Sequence, residues 1–386
     1  MNEKGELREM KVKSFLVESA PFAAMVTVEF LDVGLTTISK AAMSKGMSHF
    51  VFVVYSNALA SIILLPASFF FARFLSIYQS NGSIVELLIC VGISCSCRKK
   101  RPPITLPLLC KFFFLSIAGI TLMQNCVFTG VSYSSPTLGS ALANLIPAFT
   151  FLLAVIFRME KLELRSSKSR IKILGTLVSI SGALIITLYK GPPILSQPVQ
   201  PHSEQSPSTM LITTSNNWVI GGLFMATAGF SLSASIIGQA AILKGYPSEI
   251  TMVSFYCLFG TIQCALVALV AERNPNAWKL SPDIELISVV YSALFGSVAT
   301  FGVMAWCIQR KGPVFVAMFK PLSIAIAAVF GFIFLGETLH RGSIVGAGII
   351  VTGFYGVIWA QSKEDKDEVA KTSTTPLLHG YVHQNS

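Results

Sequence analysis

The feature that most constrains this sequence is a series of ten long apolar runs. A helix rises about 1.5 Å per residue, so about 20 mainly apolar residues cross a hydrocarbon core about 30 Å thick. The runs are continuous rather than alternating, which favours helices over barrel strands. We therefore predict an all-α membrane protein with ten transmembrane helices. These helices are expected at residues 21–39, 47–72, 112–132, 137–157, 171–189, 218–239, 250–271, 285–308, 314–335 and 343–360.

The charged residues are few and unevenly placed. They make up only 12% of the chain, whereas a soluble protein carries about 25%. If the N-terminus is cytosolic, 22 of the 29 lysines and arginines lie on the cytosolic side, six lie on the other side, and Lys320 lies within a span. This imbalance follows the positive-inside rule and predicts that both termini are cytosolic. It also explains the net charge of +10 without a nucleic-acid partner.

Two stretches of the chain resemble each other, residues 135–162 and 312–341. The second carries Lys320 directly before Pro321. One offset of 177 residues aligns Pro136 with Pro313, Glu160 with Glu337 and Leu162 with Leu339. The two stretches therefore look like copies of one membrane unit.

Further matches extend the repetition to the whole chain. The segment KAAMSKG (40–46) resembles QAAILKG (239–245) at an offset of 199, and the seven-residue glycine spacing 175–182 recurs at 346–353. Spans one to five thus repeat as spans six to ten. Because five is odd, the copies face opposite sides of the bilayer, as in the inverted repeats of many carriers. We expect a central cavity between the halves, with the glycine-rich fifth and tenth helices as packing elements.

The matches also divide the chain into segments. Between the second and third spans the first half has about 22 extra residues, which marks 74–97 as an inserted loop or a retained intron. A Pro- and Ser-rich stretch is expected to be a flexible extracytosolic linker. The predicted segments are a cytosolic N-terminus 1–20, a first repeat 21–189, the linker 190–217, a second repeat 218–360 and a disordered cytosolic tail 361–386.

A joint pattern of short motifs accompanies the repeats. It comprises VE (28–29), VGL (33–35), KGMS (45–48), VFVVY (51–55), SPTL (135–138), NLIPAFTF (144–151), FRME (157–160), GP (312–313), VAMFKPL (316–322) and FLGETL (334–339). In this pattern the chain resembles EamA-like members of the drug/metabolite transporter superfamily. It is most similar to the plant nodulin-21-like, Walls-Are-Thin-related (UMAMIT) proteins. The inserted loop 74–97 departs from that family, which has a short basic loop there.

The resemblance covers nearly all of residues 19–362 and has functional implications. It implies export or bidirectional movement of amino acids or auxin-like compounds by alternating access. It also implies a location in the plasma membrane or, alternatively, the vacuolar membrane.

Three ionisable residues are predicted inside spans, where charges are costly and usually functional. Glu29 and Asp32 are three residues apart, so they share one face of the first helix. Two carboxylates in a low dielectric repel each other, so a proton-binding site is expected there. Lys320 could extend to the cytosolic surface, pair with a carboxylate or bind an anionic group of a substrate. A purely structural pairing that holds helices together is the alternative.

Uncharged polar residues and prolines form a second set of candidates. The amides Asn57, Gln124, Asn125 and Asn144 lie in spans and could contact substrate or form hydrogen bonds between helices. Pro147 and Pro321 occupy matching helices, where a proline is expected to kink the helix and free a carbonyl group.

The motifs of enzymes are missing from the sequence. It has no GxGxxG, Walker A, HExxH or GxSxG motif, and its eight cysteines show no paired CxxC spacing. We therefore predict no enzyme activity, no cofactor and no metal site. The expected partners are a small-molecule substrate and the lipid bilayer, and a homodimer is left open. The alternatives are a carrier of another class, such as nucleotide sugars or purines, and a non-transporting receptor or scaffold.

The basic loops are expected to fix the orientation of the chain. Residues 98–101 and 158–172 hold ten of the 22 cytosolic lysines and arginines. Neutralising both loops should give a mixture of two topologies in a cysteine-accessibility assay, because the charge imbalance sets orientation. A single unchanged topology would show that other signals dominate.

Overall fold

The computed structural model describes residues 3–78, 104–133, 142–160, 167–189, 192–195, 215–334 and 339–373. Within these ranges nine helices are long and apolar enough to cross a membrane, and Ile146–Ile156 is a shorter apolar helix. The prediction of a helical membrane protein is confirmed, but the count of ten transmembrane helices is not. The fourth predicted span contains a helix of 11 residues, and residues 134–141 lie outside the described ranges.

The described elements follow the order of the predicted spans. The helices are α1 Glu3–Ser44, α2 His49–Tyr78, α3 (Leu106–Ser116, the π-helical segment Ile117–Leu122 and Met123–Tyr133), α4 Ile146–Ile156, α5 Ser167–Leu188, α6 Ser215–Gly245, α7 Glu249–Ala271, α8 (Ile284–Tyr291, the π-helical segment Ser292–Thr300 and Phe301–Lys311), α9 (Pro313–Ala317 and Lys320–Phe334) and α10 Arg341–Ser373. Two short strands, β1 Pro193–Leu195 and β2 Leu339–His340, pair antiparallel.

Several predicted boundaries differ from the structure. Residues 3–20, expected as a separate N-terminus, belong to α1, and α2 extends to residue 78, inside the predicted insertion. The prediction of a disordered tail is wrong for residues 361–373, which continue α10. A helix that is already nucleated within the membrane can extend past it at little cost. The remainders 79–97 of the insertion and 374–386 of the tail lie outside the described residues.

The predicted linker 190–217 also contains regular structure. Strand β1 pairs with β2, and Arg341 N–H donates to the Pro192 carbonyl at 3.2 Å. These bonds tie the start of the linker to the start of α10. Residues 196–214 of the linker lie outside the described ranges.

Helices α5 and α10 pack against each other through paired glycines. A Cβ atom on Gly353 would lie 2.5 Å from the Gly175 carbonyl oxygen, and one on Gly346 would lie 2.6 Å from that of Gly182. Glycine is needed at these positions because only a residue without a side chain lets two backbones approach so closely. The contacts are reciprocal, since the first glycine of one helix meets the second glycine of the other. The two helices therefore cross antiparallel about a pseudo-twofold axis.

The other interfaces between the halves have the same symmetry. In α2 and α7, Ser61 Oγ lies 3.4 Å from Thr261 Oγ1, two equivalent positions that meet each other. Helix α1 packs against α8 and α9 of the second half, and α6 packs against α3 and α4 of the first. The first helix of each half thus packs against helices of the opposite half.

The glycine contacts predict a difference between two neighbouring glycines of α10. Gly353→Ala should lower the midpoint of thermal unfolding in detergent, because the new methyl group overlaps α5 at a typical cost of about 1–3 kcal/mol. Gly348→Ala is the matched control, since a Cβ there meets nothing within 4 Å. The control should be neutral or slightly stabilising, because alanine favours helix over glycine by about 1 kcal/mol. Equal destabilisation by both variants would contradict this packing.

Candidate functional site

The structure brings Glu29, Asp32 and Lys320 into direct contact, and we call them the ionic trio. Lys320 Nζ lies 3.1 Å from Glu29 Oε1 and 2.9 Å from Asp32 Oδ2. The carboxylates belong to α1 in the first half of the chain, and the lysine belongs to α9 in the second half. Three environments were possible for Lys320: the cytosolic surface, a carboxylate partner or a substrate anion. The structure shows the carboxylate partners. The trio therefore bridges the two halves.

A break in α9 places the lysine. The helix is interrupted at Met318–Phe319 and resumes at Lys320. Pro321 is the second residue of the new segment, where its missing N–H removes no helical hydrogen bond. Pro147 has the same position in α4, which follows a turn at residues 144–145. The two prolines were expected to kink continuous helices, but they begin helical segments after a break.

The ionic trio carries an unbalanced charge. Glu29 is fully buried, and the side chains of Lys320 and Asp32 are 15% and 29% exposed. With both carboxylates ionised, the net charge is −1, which is costly away from water. Glu29 Oε1 accepts no hydrogen bond of good geometry from the described residues, although it lies 3.1 Å from Lys320 Nζ. A proton or a cationic group of a ligand could balance the site.

Residues on one side of the ionic trio are buried, and residues on the other side are exposed. On the face of α1 that carries Glu29, Met25 is fully buried and Thr36 is exposed. On α9, Val316 is fully buried and Ala327, two turns beyond the lysine, is exposed. The helices run in the same direction, because Phe22 contacts Phe315 and Phe30 contacts Phe330. From this change in exposure we infer a crevice that leads from the C-terminal ends of α1 and α9 to the trio and is closed beyond it.

A ladder of four phenylalanines closes the other side. Their ring centroids are 5.0 Å apart between Phe22 and Phe315, 5.0 Å between Phe315 and Phe319, and 4.6 Å between Phe319 and Phe354. We call them the aromatic ladder, and their edge-to-face contacts are favourable beyond simple burial. The ladder connects α1, α9 and α10. Phe319 lies at the break of α9, directly before Lys320. A movement of this break would therefore displace both the aromatic ladder and the ionic trio.

A weaker ion pair lies outside the membrane spans, between the turn after α1 and the start of α8. Lys45 Nζ donates to Asp283 Oδ2 at 2.5 Å, and both side chains are more than half exposed. This hydrogen bond lowers the pKa of Asp283 below its ordinary value. Solvent screens such an exposed pair, so it is a weak contact between the halves.

The four predicted amides are not joined to the ionic trio by hydrogen bonds in the part of the chain that the structure describes. Asn57 Nδ2 donates to the Val53 carbonyl at 2.9 Å, and Asn125 Nδ2 donates to that of Thr121 at 2.6 Å. Among the described residues, Asn57 Oδ1, Gln124 Oε1 and both amide atoms of Asn144 have no partner. Buried polar atoms without partners call for water or a ligand. These three amides therefore stay candidates for substrate contact.

Two polar residues that the sequence analysis missed have clear roles in the structure. Gln263 accepts hydrogen bonds from Ser116 at 3.1 Å and Thr121 at 2.8 Å, which joins α7 to α3. A glutamine inside the seventh apolar run was a usable signal. Thr300 Oγ1 lies 3.4 Å from Asp32 Oδ1. It gave no signal, because threonine hydroxyls are common in spans and bond to their own helix. No group of three or more His, Cys, Asp or Glu in the described ranges could hold a metal ion.

The fold and the site define a class of protein. A bundle of apolar helices with inverted symmetry and an ionic cluster between its halves is typical of multi-pass membrane transporters. The model of the EamA-like transporter family matches residues 22–188 and 219–359 of this chain. The chain belongs to the EamA-like transporter family.

Known relatives agree with this assignment. A WAT1-related protein of Arabidopsis thaliana is 41% identical over 392 residues, which cover 99% of this chain and 98% of the relative. Protein WALLS ARE THIN 1 of Arabidopsis thaliana is 36% identical, with 92% of this chain and 93% of the relative covered. The resemblance seen in the sequence is confirmed. A solved crystal structure that is 12% identical matches with a TM-score of 0.59 over 89% of this chain and 99% of its own, which supports the fold.

The crevice predicts unequal reactivity of two positions in α1. Thr36 and Thr27 are both exposed and lie eight residues from opposite ends of the span Ser19–Ser44. Thr36 shares the face of Glu29, whereas Thr27 lies on the opposite side, which faces lipid. Thr36→Cys should react with a membrane-impermeant thiol reagent in cells, and Thr27→Cys should not, because the reagent needs water. Labelling of both positions, or of neither, would contradict an aqueous crevice.

Proposed function

We propose that the protein is a secondary transporter of small organic metabolites that works by alternating access, with amino acids as its substrates. The observation that carries the proposal is the ionic trio, which bridges the two halves at the base of the inferred crevice. The family description supports transport, and the names of the plant relatives name no substrate. An enzyme activity is disfavoured because the family is one of transporters.

The charges of the ionic trio favour a zwitterionic substrate. A substrate carboxylate can take Lys320 from its two partners, and a substrate ammonium group can take the place of Lys320 beside Asp32 and Glu29. Each charge then keeps an opposite charge as a neighbour, so the exchange avoids an uncompensated buried charge. An amino acid carries both groups on one carbon atom, close enough together to enter a site in which one lysine bridges two carboxylates.

Auxin-like carboxylates are the second candidate, and they make a different demand on the site. Such an anion can bind Lys320 but offers no cation to the carboxylates. Two carboxylates would then lie close together without a positive partner, so a proton must bind with the substrate. Glu29 is the natural acceptor, because it is the more deeply buried of the two. Transport of an auxin-like anion should therefore depend more steeply on pH than transport of an amino acid.

The closed and open sides of the ionic trio suggest how access alternates. The crevice lies on one side and the aromatic ladder on the other, and the break of α9 adjoins both. If both termini are cytosolic, as the positive-inside rule predicts, the crevice opens to the extracytosolic side. The plasma membrane is the proposed location, with the vacuolar membrane as the alternative. Nucleotide sugars and purines fit less well, because the predicted spans contain only two lysines or arginines, Lys320 and Lys172, and Lys172 is paired with Glu160.

The proposal predicts loss of flux without loss of the protein. Glu29→Gln and Lys320→Met should reach the membrane but lose amino-acid flux by about tenfold or more, since each removes a charge that the substrate must exchange. The measurement is uptake and efflux of labelled amino acids and auxins in oocytes at two external pH values. Lys45→Met is the matched control, because it removes an exposed lysine and its ion pair. Its flux should stay within about twofold of the wild type.

The pH dependence separates the two roles of the ionic trio. Glu29→Gln should also abolish any pH dependence of the residual flux if Glu29 is the proton site. Wild-type flux in either variant would refute a role of the trio in transport. Absence of flux in a correctly folded wild type would instead favour a receptor or scaffold.

A further inference from the structure

The two halves carry π-helical segments at equivalent positions. These are Ile117–Leu122 in α3 and Ser292–Thr300 in α8, and the offset of 177 residues places Gly119 of the first on Gly296 of the second. A π-helical segment is rare and is often found at functional sites, because it costs stability and is retained for a purpose. Its presence in both repeats indicates a role common to both halves.

Each π-helical segment binds the first helix of the opposite half. In α6, Ser231 Oγ donates to the Ala118 carbonyl at 2.7 Å. The offset of 177 residues makes Phe295 the equivalent of Ala118, and the match of MVTVEF (25–30) with MATAGF (225–230) at an offset of 200 places Asp32 one residue after the equivalent of Ser231. At this second contact, the hydroxyl group of Thr300 lies between the Asp32 carboxylate and the Phe295 carbonyl. Thr300 Oγ1 is 2.9 Å from the Phe295 carbonyl oxygen and 3.4 Å from Asp32 Oδ1.

The π-helical geometry places this hydroxyl. A threonine in a helix normally bonds to a carbonyl three or four residues earlier, but Thr300 bonds to the carbonyl five residues earlier. The wider turn moves that carbonyl and lets the side chain reach towards α1. Thr300 is only 2% exposed, so water has little access to its hydroxyl group.

The hydroxyl can satisfy only one of these acceptors at a time. A threonine has one O–H donor, and the shorter distance assigns it to the Phe295 carbonyl in this structure. Asp32 is meanwhile satisfied by Lys320 at 2.9 Å. If Lys320 turns to a substrate carboxylate, a substrate ammonium group takes its place beside Asp32. An ionised carboxylate can accept further hydrogen bonds, and Thr300 is within reach of Asp32.

We propose that Thr300 is a positioning residue that transfers its hydrogen bond from the Phe295 carbonyl to Asp32 when the substrate engages Lys320. The inference rests on the proposed function of the ionic trio as the substrate site. The transferred bond stabilises the substrate-bound state and leaves the empty state unchanged. Thr300 thus acts on affinity through Asp32 and does not itself touch the substrate.

The equivalent contact in the other half lacks the parts of such a switch. There the offset of 200 puts Gly229 and Leu232 at the positions of Glu29 and Asp32, and the offset of 177 puts Ala143 at the position of Lys320. Ser231 Oγ donates directly to the Ala118 carbonyl, and Ser233 Oγ donates to the Ile146 carbonyl at 3.1 Å. This interface has no charge that a substrate could displace, so it remains fixed while the interface at the ionic trio responds.

The test compares half-saturation constants and maximal rates of amino-acid uptake. Thr300→Val removes the hydroxyl at nearly constant shape, so it should raise the half-saturation constant by about tenfold, as expected for loss of a hydrogen bond to a charged group. The maximal rate per molecule at the membrane should stay near that of the wild type. Thr300→Ser restores the donor and should restore the wild-type constant. Ser231→Ala is the matched control, because it removes a hydroxyl that bonds to the π-helical segment of the other half.

The outcomes distinguish this inference from the proposed function. Wild-type uptake that saturates, with an unchanged half-saturation constant in Thr300→Val, overturns the inference alone. An equal rise in Ser231→Ala also overturns it, since that result indicates a general packing effect. No wild-type flux of any amino acid or auxin rejects the proposed function and the inference together. If Thr300→Val fails to reach the membrane, Thr300→Ala gives the same readout without the second methyl group.

Discussion

The bundle depends on one electrostatic constraint, which is that charged groups in a membrane need opposite charges as neighbours. Glu29, Asp32 and Lys320 meet this constraint only together, because none has another charged partner among the described residues. Their contact fixes α1 of one half against α9 of the other. The pairing is incomplete by one positive charge, so the same contact that holds the halves together leaves a place for a proton or a ligand cation. Stability and function are therefore coupled at this point.

The rest of the fold supplies a frame for this contact. The reciprocal glycines of α5 and α10 bring two backbones together without intervening side chains that could change conformation. The broken helix α9 is the contrasting element, because its interruption at Met318–Phe319 separates two rigid segments and places Lys320 at the start of the second. A rigid pair and a broken helix in one bundle provide a fixed part and a movable part, as alternating access requires.

The inverted repeat is symmetric in backbone but not in charge. Both halves place a π-helical segment against the first helix of the other half, and both begin a helical segment with a proline after a break. The residues equivalent to the ionic trio in the other repeat, Gly229, Leu232 and Ala143, are uncharged. The repeat thus provides two similar interfaces, and the charged side chains of the ionic trio allow one of them to respond to a substrate. This division explains how a symmetric fold can hold the ionic trio at one of its two similar interfaces.

The sequence by itself determined the membrane class, the repeats, the family and the identity of the three charged residues, because apolar length, residue offsets and charges inside spans are local properties. It also predicted that Lys320 could pair with a carboxylate. The tertiary structure alone decided that Asp32 and Glu29 share this lysine, that Pro321 begins a segment after a break, and that Thr300 lies between two acceptors. These facts depend on the angles and offsets at which helices from opposite halves meet. A sequence pattern records which residues share a face of one helix, but not which face of another helix lies opposite.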